Sequence, residues 1–178
     1  MANNLLISVF CPDRVGLISA LTARLFDLGG DLGDTTFAVL GEGAEFTSIC
    51  EFPADLTSEY VRAELADLPQ LAGATIEVRP FELDPGPQPQ ARVTHHVECE
   101  GVNRPGLVAR MTEIFQEYGA NIVRLAADRQ DRKGEDYYLT RIAAFIPEER
   151  ADSCLATLAN TAGELRQIIR WHRTEDGI

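Results

Sequence analysis

The sequence is poor in the features that mark metal centres, secretion and nucleic-acid binding. Its four cysteines, Cys11, Cys50, Cys99 and Cys154, form no CxxC pair and no Cys/His cluster. That excludes zinc-ribbon and thioredoxin-like chemistry. Each cysteine sits inside an apolar strand or helix pattern, where a reduced thiol behaves as a small hydrophobe. Basic residues are scarce: 16 Lys and Arg against 28 Asp and Glu leave a formal charge of -12. A chain this acidic repels a phosphate backbone, so direct nucleic-acid binding is not expected. No apolar run approaches membrane-spanning length, and the opening residues lack the basic start and long apolar stretch of a secretory signal. The expectation is a cytoplasmic protein with no membrane contact. No Ser/His/Asp or Cys/His arrangement, nucleotide-binding glycine loop or paired-acid site is readable. Neither enzymatic activity nor a metal or cofactor is expected. His95 and His96 are strand neighbours that point to opposite faces and cannot share one ion. His95 falls on the apolar side as a core histidine, and Trp171 reads as packing or interface surface.

What the chain does have is one stretch written twice. Cys11-Pro12-Asp13-Arg14-Val15-Gly16-Leu17 returns as Gly101-Val102-Asn103-Arg104-Pro105-Gly106-Leu107. Arg104, Gly106, Leu107, Thr112 and Gly119 lie 90 residues after Arg14, Gly16, Leu17, Thr22 and Gly29, and Pro147 lies 94 after Pro53. Five matches in one register predict two homologous domains. The change of offset predicts about four added residues, most simply at the Asp131–Gly134 hairpin tip.

Periodicity gives both halves the same order. Leu5, Ile7, Val9 and Cys11 alternate as a half-buried strand, and Leu17, Ile18, Leu21, Leu25 and Leu28 keep helical spacing up to Gly29-Gly30. Residues 31–40 and 45–52 read as a hairpin around Gly41-Glu42-Gly43. A helix capped by Thr57 and a strand over 74–81 complete β-α-β-β-α-β. Strand over 93–99, helix over 107–118, strands over 121–129 and 137–146, helix over 148–161 and strand over 166–172 repeat it. The expected boundaries are a first domain over 1–83, a stiff proline-rich linker over 84–91, a second domain over 92–174 and a tail over 175–178.

β-α-β-β-α-β is the ferredoxin-like, α+β pattern: antiparallel sheets with helices on one face. Many functions use it, so the site must decide. RNA binding would need aromatic and basic residues on the open sheet face, where the second half carries His96, Glu98 and Glu100. The turn between first strand and first helix is the candidate. It leaves amide N–H groups and the positive end of the helix dipole for a small anion.

An Asp-Arg-x-Gly-Leu turn after strand one, a helix ending in Gly, and Asn121-Ile122 opening strand two resemble the ACT domain. Two such modules and little else resemble the glycine cleavage system transcriptional repressor group. The resemblance implies a non-catalytic regulatory protein that binds a small amino acid between paired modules, with glycine a candidate. It also implies an oligomer, a homodimer in the simplest case, and a regulatory partner protein. The acidic charge routes any transcriptional effect through that partner rather than through DNA.

The candidate ligand residues are Asp13, Arg14, Val15, Gly16, Leu17 and Asp31 in the first half. Asn103, Arg104, Gly106, Leu107, Asn121 and Ile122 are those of the second. The amides of 15–17 or 106–108 are placed for a carboxylate, Asp13 for an ammonium, and Asn103 or Asn121 for either. Arg14 and Arg104 suit a carboxylate across a domain interface. Asn103 stands where the family has Asp, and Asp31-Leu32-Gly33-Asp34 replaces Asn-Ile in the first half, adding charge that repels a carboxylate. The two sites are not expected to be equal. The competing reading keeps Asp13 and Asn103 as helix caps and makes the protein a ligand-independent interaction module.

Overall fold

The computed structural model describes residues 3–86, 88–132 and 134–174. The chain divides into two compact units, Met1–Gly86 and Pro87–Ile178. In the first, the order is β1 (Asn3–Pro12), α1 (Leu17–Asp27), β2 (Asp31–Leu40), β3 (Gly43–Phe52), α2 (Ser58–Ala66) and β4 (Thr75–Pro80). The second runs β5 (His95–Val102), α3 (Leu107–Glu117), β6 (Asn121–Arg132), β7 (Glu135–Phe145), α4 (Glu148–Glu164) and β8 (Ile168–Arg173). The sheets are ordered β2-β3-β1-β4 and β6-β7-β5-β8. Every pairing for which the register is defined is antiparallel.

Alternation on the central strands builds each core. Leu5, Ile7, Val9 and Cys11 point from β1 against Leu17, Leu21 and Leu25 of α1 and Val61 and Leu65 of α2. Val97 and Cys99 of β5 do the same with Leu107, Met111 and Phe115 of α3 and Cys154, Leu155 and Leu158 of α4. Stripes at three- and four-residue spacing leave each helix one apolar face, and the sheet is the only surface large enough to bury it. All four cysteines are reduced and buried, and burial pushes the thiols of Cys50, Cys99 and Cys154 up to about 11. Thr57 caps α2 as expected, its Oγ1 accepting from the Tyr60 N–H at 3.2 Å.

The register gives the change of offset a form. Leu5 faces Cys50 and His95 faces Ala144, so β3 and β7 correspond at 94 residues while β1 and β5 correspond at 90. Leu40 pairs with Gly43 at the first hairpin end, and its counterpart pair is Gln130 with Tyr137. Beyond it the second hairpin has two further rungs, Asp131 with Asp136 and Arg132 with Glu135. The four added residues are those two rungs. Packing has diverged in step. A Cβ on Gly30 would lie 2.7 Å from the Phe52 ring and 2.8 Å from Cys50 Sγ. The second domain carries Ala120 there, facing the smaller Ala144 and Ile146 at the matching positions.

The linker region departs from the expected stiff spacer. Pro89–Ala91 forms a 3-10 turn, and Asn121 Nδ2 donates to the Gln90 carbonyl at 2.7 Å. Pro87 of the expected linker, Lys133 of the expected hairpin tip and the expected tail over 175–178 lie outside the described residues.

Candidate functional site

Each repeated turn is made by a glycine in the left-handed region. Gly16 has φ 84° and Gly106 φ 85°, and each is the N-cap of its helix, with no side chain capping it. A side chain at that φ is strained, which is why both copies keep glycine. The expected capping role of Asp13 and Asn103 is corrected here: the left-handed glycine brings the chain into the helix three residues later. Asp13 and Asn103 instead tie the turn to the hairpin through their backbones. The Asp13 N–H donates to the Glu42 carbonyl at 2.9 Å and the Asn103 N–H to the Asp136 carbonyl at 2.8 Å, which are equivalent bonds.

The amides divide in the same way in both copies. The Leu17 and Leu107 N–H groups are taken by the Arg14 and Arg104 carbonyls at 3.2 Å, and both leucine side chains are buried in their cores. Those of Val15, Gly16, Ile18 and Ser19 have no hydrogen-bond acceptor among the described residues, nor have those of Gly106, Val108 and Ala109. Free amides at the positive end of a helix favour an anion.

The two arginines differ in what they do. Arg14 Nη1 donates to the Pro69 and Gln70 carbonyls at 3.2 and 3.1 Å, and its Nη2 to the Ala72 carbonyl at 3.0 Å. It therefore holds the turn of the first domain down onto the crossover between α2 and β4. The side chain of Arg104 is exposed and has no hydrogen bond or ion pair among the described residues. Its counterpart duty falls to Gln167, whose Nε2 donates to the Val102 carbonyl at 2.8 Å and to the Leu165 carbonyl at 3.3 Å. Leu165 and Ala72 occupy matching places, since Ile168 faces Glu100 as Thr75 faces Phe10. Room for Gln167 comes from Gly101, where a Cβ would lie within 2.7 Å of the amide. The first domain has Cys11 and Ala74 at these two positions. The large side chain that makes the tie has moved from the turn to the residue before the closing strand, and the second arginine is released.

The remaining candidates stand elsewhere. Val15 is fully exposed beside the first turn. Asn103 Nδ2 donates to Asp136 Oδ2 at 3.0 Å. Asp31, exposed, and Asn121 and Ile122 open β2 and β6 beside Glu51, Phe145 and Ala144. Those positions are at the start of β1 and β5, while the turns are at their ends, about 25 Å away at ~3.3 Å per residue. No single domain brings its turn and its second-strand start together.

Two cavities lie at that other pole. One of about 490 Å³ is lined by Leu5, Ala54, Thr57 and Pro80. Its counterpart of about 450 Å³ is lined by His95, Glu148, Asp152, Trp171 and Arg173. His95, 4% exposed, takes the place of Leu5, and its Nδ1 meets Thr94 Oγ1 at 2.9 Å. Arg173 bonds Glu148 at 2.9 Å across the mouth. Burial, joined by the charge of Arg173 and opposed by Asp152, holds the imidazole below its ordinary 6.5. Sequence reasoning missed Gln167 and this polar cluster; setting His95 against Leu5 at the offset of 90 was the signal for the latter.

No protein-family model matches the chain. It is 24% identical, over an alignment of 193 residues spanning 98% of this chain and 95% of the relative, to the glycine cleavage system transcriptional repressor of Escherichia coli (strain K12). An unknown protein from Galdieria sulphuraria shares the fold with a TM-score of 0.76 at 19% identity, covering 98% of this chain and 99% of that one. A crystal structure provisionally described as a glycine cleavage system transcriptional repressor gives 0.67 at 14% identity, covering 99% of both. The chain has two tandem ferredoxin-like domains and resembles that repressor group in sequence and in fold.

Two outcomes follow. Arg14→Ala should lower stability by about 1 kcal/mol in urea unfolding, while Arg104→Ala stays within about 0.5 kcal/mol of the parent; equal losses would contradict the exchange of roles. Because the folded His95 holds its proton more weakly than the unfolded one, stability should fall as pH drops below about 6.5. His95→Leu should remove that part of the acid-side loss in melts between pH 7 and 5, and an unchanged pH profile would contradict it.

Proposed function

We propose that this chain is a non-catalytic regulatory protein whose ACT modules bind a small amino acid and thereby modulate a partner protein. The carrying observation is the second turn. It sets an unpartnered Arg104 beside the open amides of Gly106, Val108 and Ala109, which together suit a carboxylate. Asn103 is the nearby group suited to the ammonium; Asn121 lies at the other end of the same domain and would reach this turn only from another copy of the chain. The first turn offers the equivalent amides and that of Val15 with its arginine engaged, an arrangement that suits a carboxylate less well. Each turn has one carboxylate beside it, Asp13 in the first and Asp136 in the second. The liganded turn on this reading is the second.

Glycine is the first candidate ligand, because the relatives' name ties them to the glycine cleavage system. Transcriptional control of that system would pass through a protein partner, since the chain's charge of -12 opposes DNA contact. Among the described residues no helix is long and apolar enough to cross a membrane, and a cytoplasmic regulator fits that. A ligand-independent interaction module is the second reading, favoured by the exposed apolar residues Phe37, Val39 and Leu40 on an edge strand.

Thermal melts of the whole protein across the twenty amino acids test this. A ligand at ten times its Kd adds about 1.4 kcal/mol to the native state, a rise of several degrees for domains of this size. One or two small amino acids should give that rise. Arg104→Ala should abolish it and Asp13→Ala should keep it. A shift that survives Arg104→Ala would overturn the assignment of the site, and no shift with any amino acid at millimolar concentration would favour the interaction module.

A further inference from the structure

The outer edge of β2 is unlike the other long edge of this molecule. β2 ends its sheet, so its outward N–H and C=O groups have no strand neighbour among the described residues. Residues 35–40, Thr-Thr-Phe-Ala-Val-Leu, carry no charge, and Phe37, Val39 and Leu40 are each at least 43% exposed. Phe37 and Val39 lie on the helix side, opposite Phe46 and Ala44, and Leu40 lies on the open side opposite Gly43. There the exposed Phe10 ring covers Gly43, whose Cβ would come within 2.6 Å of it. The apolar surface therefore wraps both sides of the edge.

The fold does not require this. β6 is the matching edge, and register puts Ala127, Arg129 and Gln130 at the places of Phe37, Val39 and Leu40. Glu100 stands at the place of Phe10. With Arg124, Asp128 and Asp131 beside them, these are the charges by which sheets ordinarily guard an edge. β2 lacks them.

Charge says what fits. Residues 1–86 carry 14 acidic and four basic side chains, a formal -10, while residues 87–178 carry 14 and 12, a formal -2. Of the four arginines, Arg14 is bound to carbonyls, Arg24 to Glu64 at 2.7 Å and Arg79 to Glu77 at 3.3 Å. Asp31 and Asp34 precede the apolar stretch, and Glu42 and Glu45 follow it. An occupant must supply backbone to complete the ladder, apolar side chains on both faces and positive charge at its flanks. A second copy pairing through the same edge brings the same -10 and fails the last condition.

We propose that the edge of β2 in the first domain takes an added β-strand from a partner protein with a basic surface. This rests on the reading of the chain as a regulator of another protein, and it assigns the two duties to different domains. The second turn senses the small molecule, and the first domain's edge holds the partner.

The test uses the full chain and a synthetic peptide of six alternating valine and threonine residues with two lysines at each end. A second peptide has glutamates in place of the lysines. The lysine peptide should bind at least about tenfold more tightly than the glutamate one, an advantage that shrinks with added salt. It should slow amide exchange in residues 35–40 and leave 125–130 unchanged. V39R/L40Q, which installs the residues of β6 at exposed positions, should weaken binding about tenfold or more. Absence of exchange protection at about 1 mM peptide, or equal affinity for both peptides, would overturn the proposal. So would a dimer in sedimentation that V39R/L40Q dissolves, which would make a second copy the occupant. Amino-acid stabilisation without peptide binding sinks this surface alone, and peptide binding without any amino-acid shift sinks the sensing turn alone.

Discussion

The tie that holds each β–α turn against the rest of its domain is what the rest of the structure depends on. A left-handed glycine swings the chain from strand into helix and leaves amides unbonded, so little in the turn itself keeps it in place. One restraint is common to both copies: a backbone bond from Asp13 or Asn103 to the neighbouring hairpin. The other is a side chain that reaches the carbonyls where the second helix passes into the last strand. In the first domain that side chain is Arg14, and in the second it is Gln167. Because a guanidinium bound to three carbonyls has few donors left, the choice of tie decides whether the turn has a cation to offer.

From that one exchange the two modules diverge. The first keeps its arginine as scaffold, concentrates negative charge and leaves an apolar strand at its edge. The second is nearly charge-balanced, releases Arg104, guards its edge with charges and carries a polar cavity around His95. Duplicated folds can divide labour in this way because backbone geometry is set by glycines and apolar periodicity, which both copies retain, while exposed positions vary without cost to the core.

Much of this was legible in the sequence. The order of elements followed from period-two and helical spacings bounded by Gly and Pro, and Thr57 announced its helix correctly. The change of offset from 90 to 94 located the added residues, though their form as two hairpin rungs needed the register. Other features were not legible, and for physical reasons. Asp13 and Asn103 look like helix caps, but a glycine with positive φ after them moves the cap to Gly16 and Gly106. The bonds of Arg14 span 55 to 58 residues and that of Gln167 to Val102 spans 65, beyond the reach of any local pattern. Asn121 reads as a ligand contact but its amide is bonded to Gln90. That the turn and the start of the second strand lie at opposite ends of a domain is a consequence of antiparallel topology, not of spacing in the chain.

The inequality of the two turns is the central claim, and calorimetric titration of the whole protein with the amino acid that stabilises it measures that inequality directly. The account predicts one binding event per chain, since only one turn has a cation free for the carboxylate. Two equivalent sites per chain would show that Arg14 leaves its carbonyls as readily as Arg104 meets a ligand, and would contradict it.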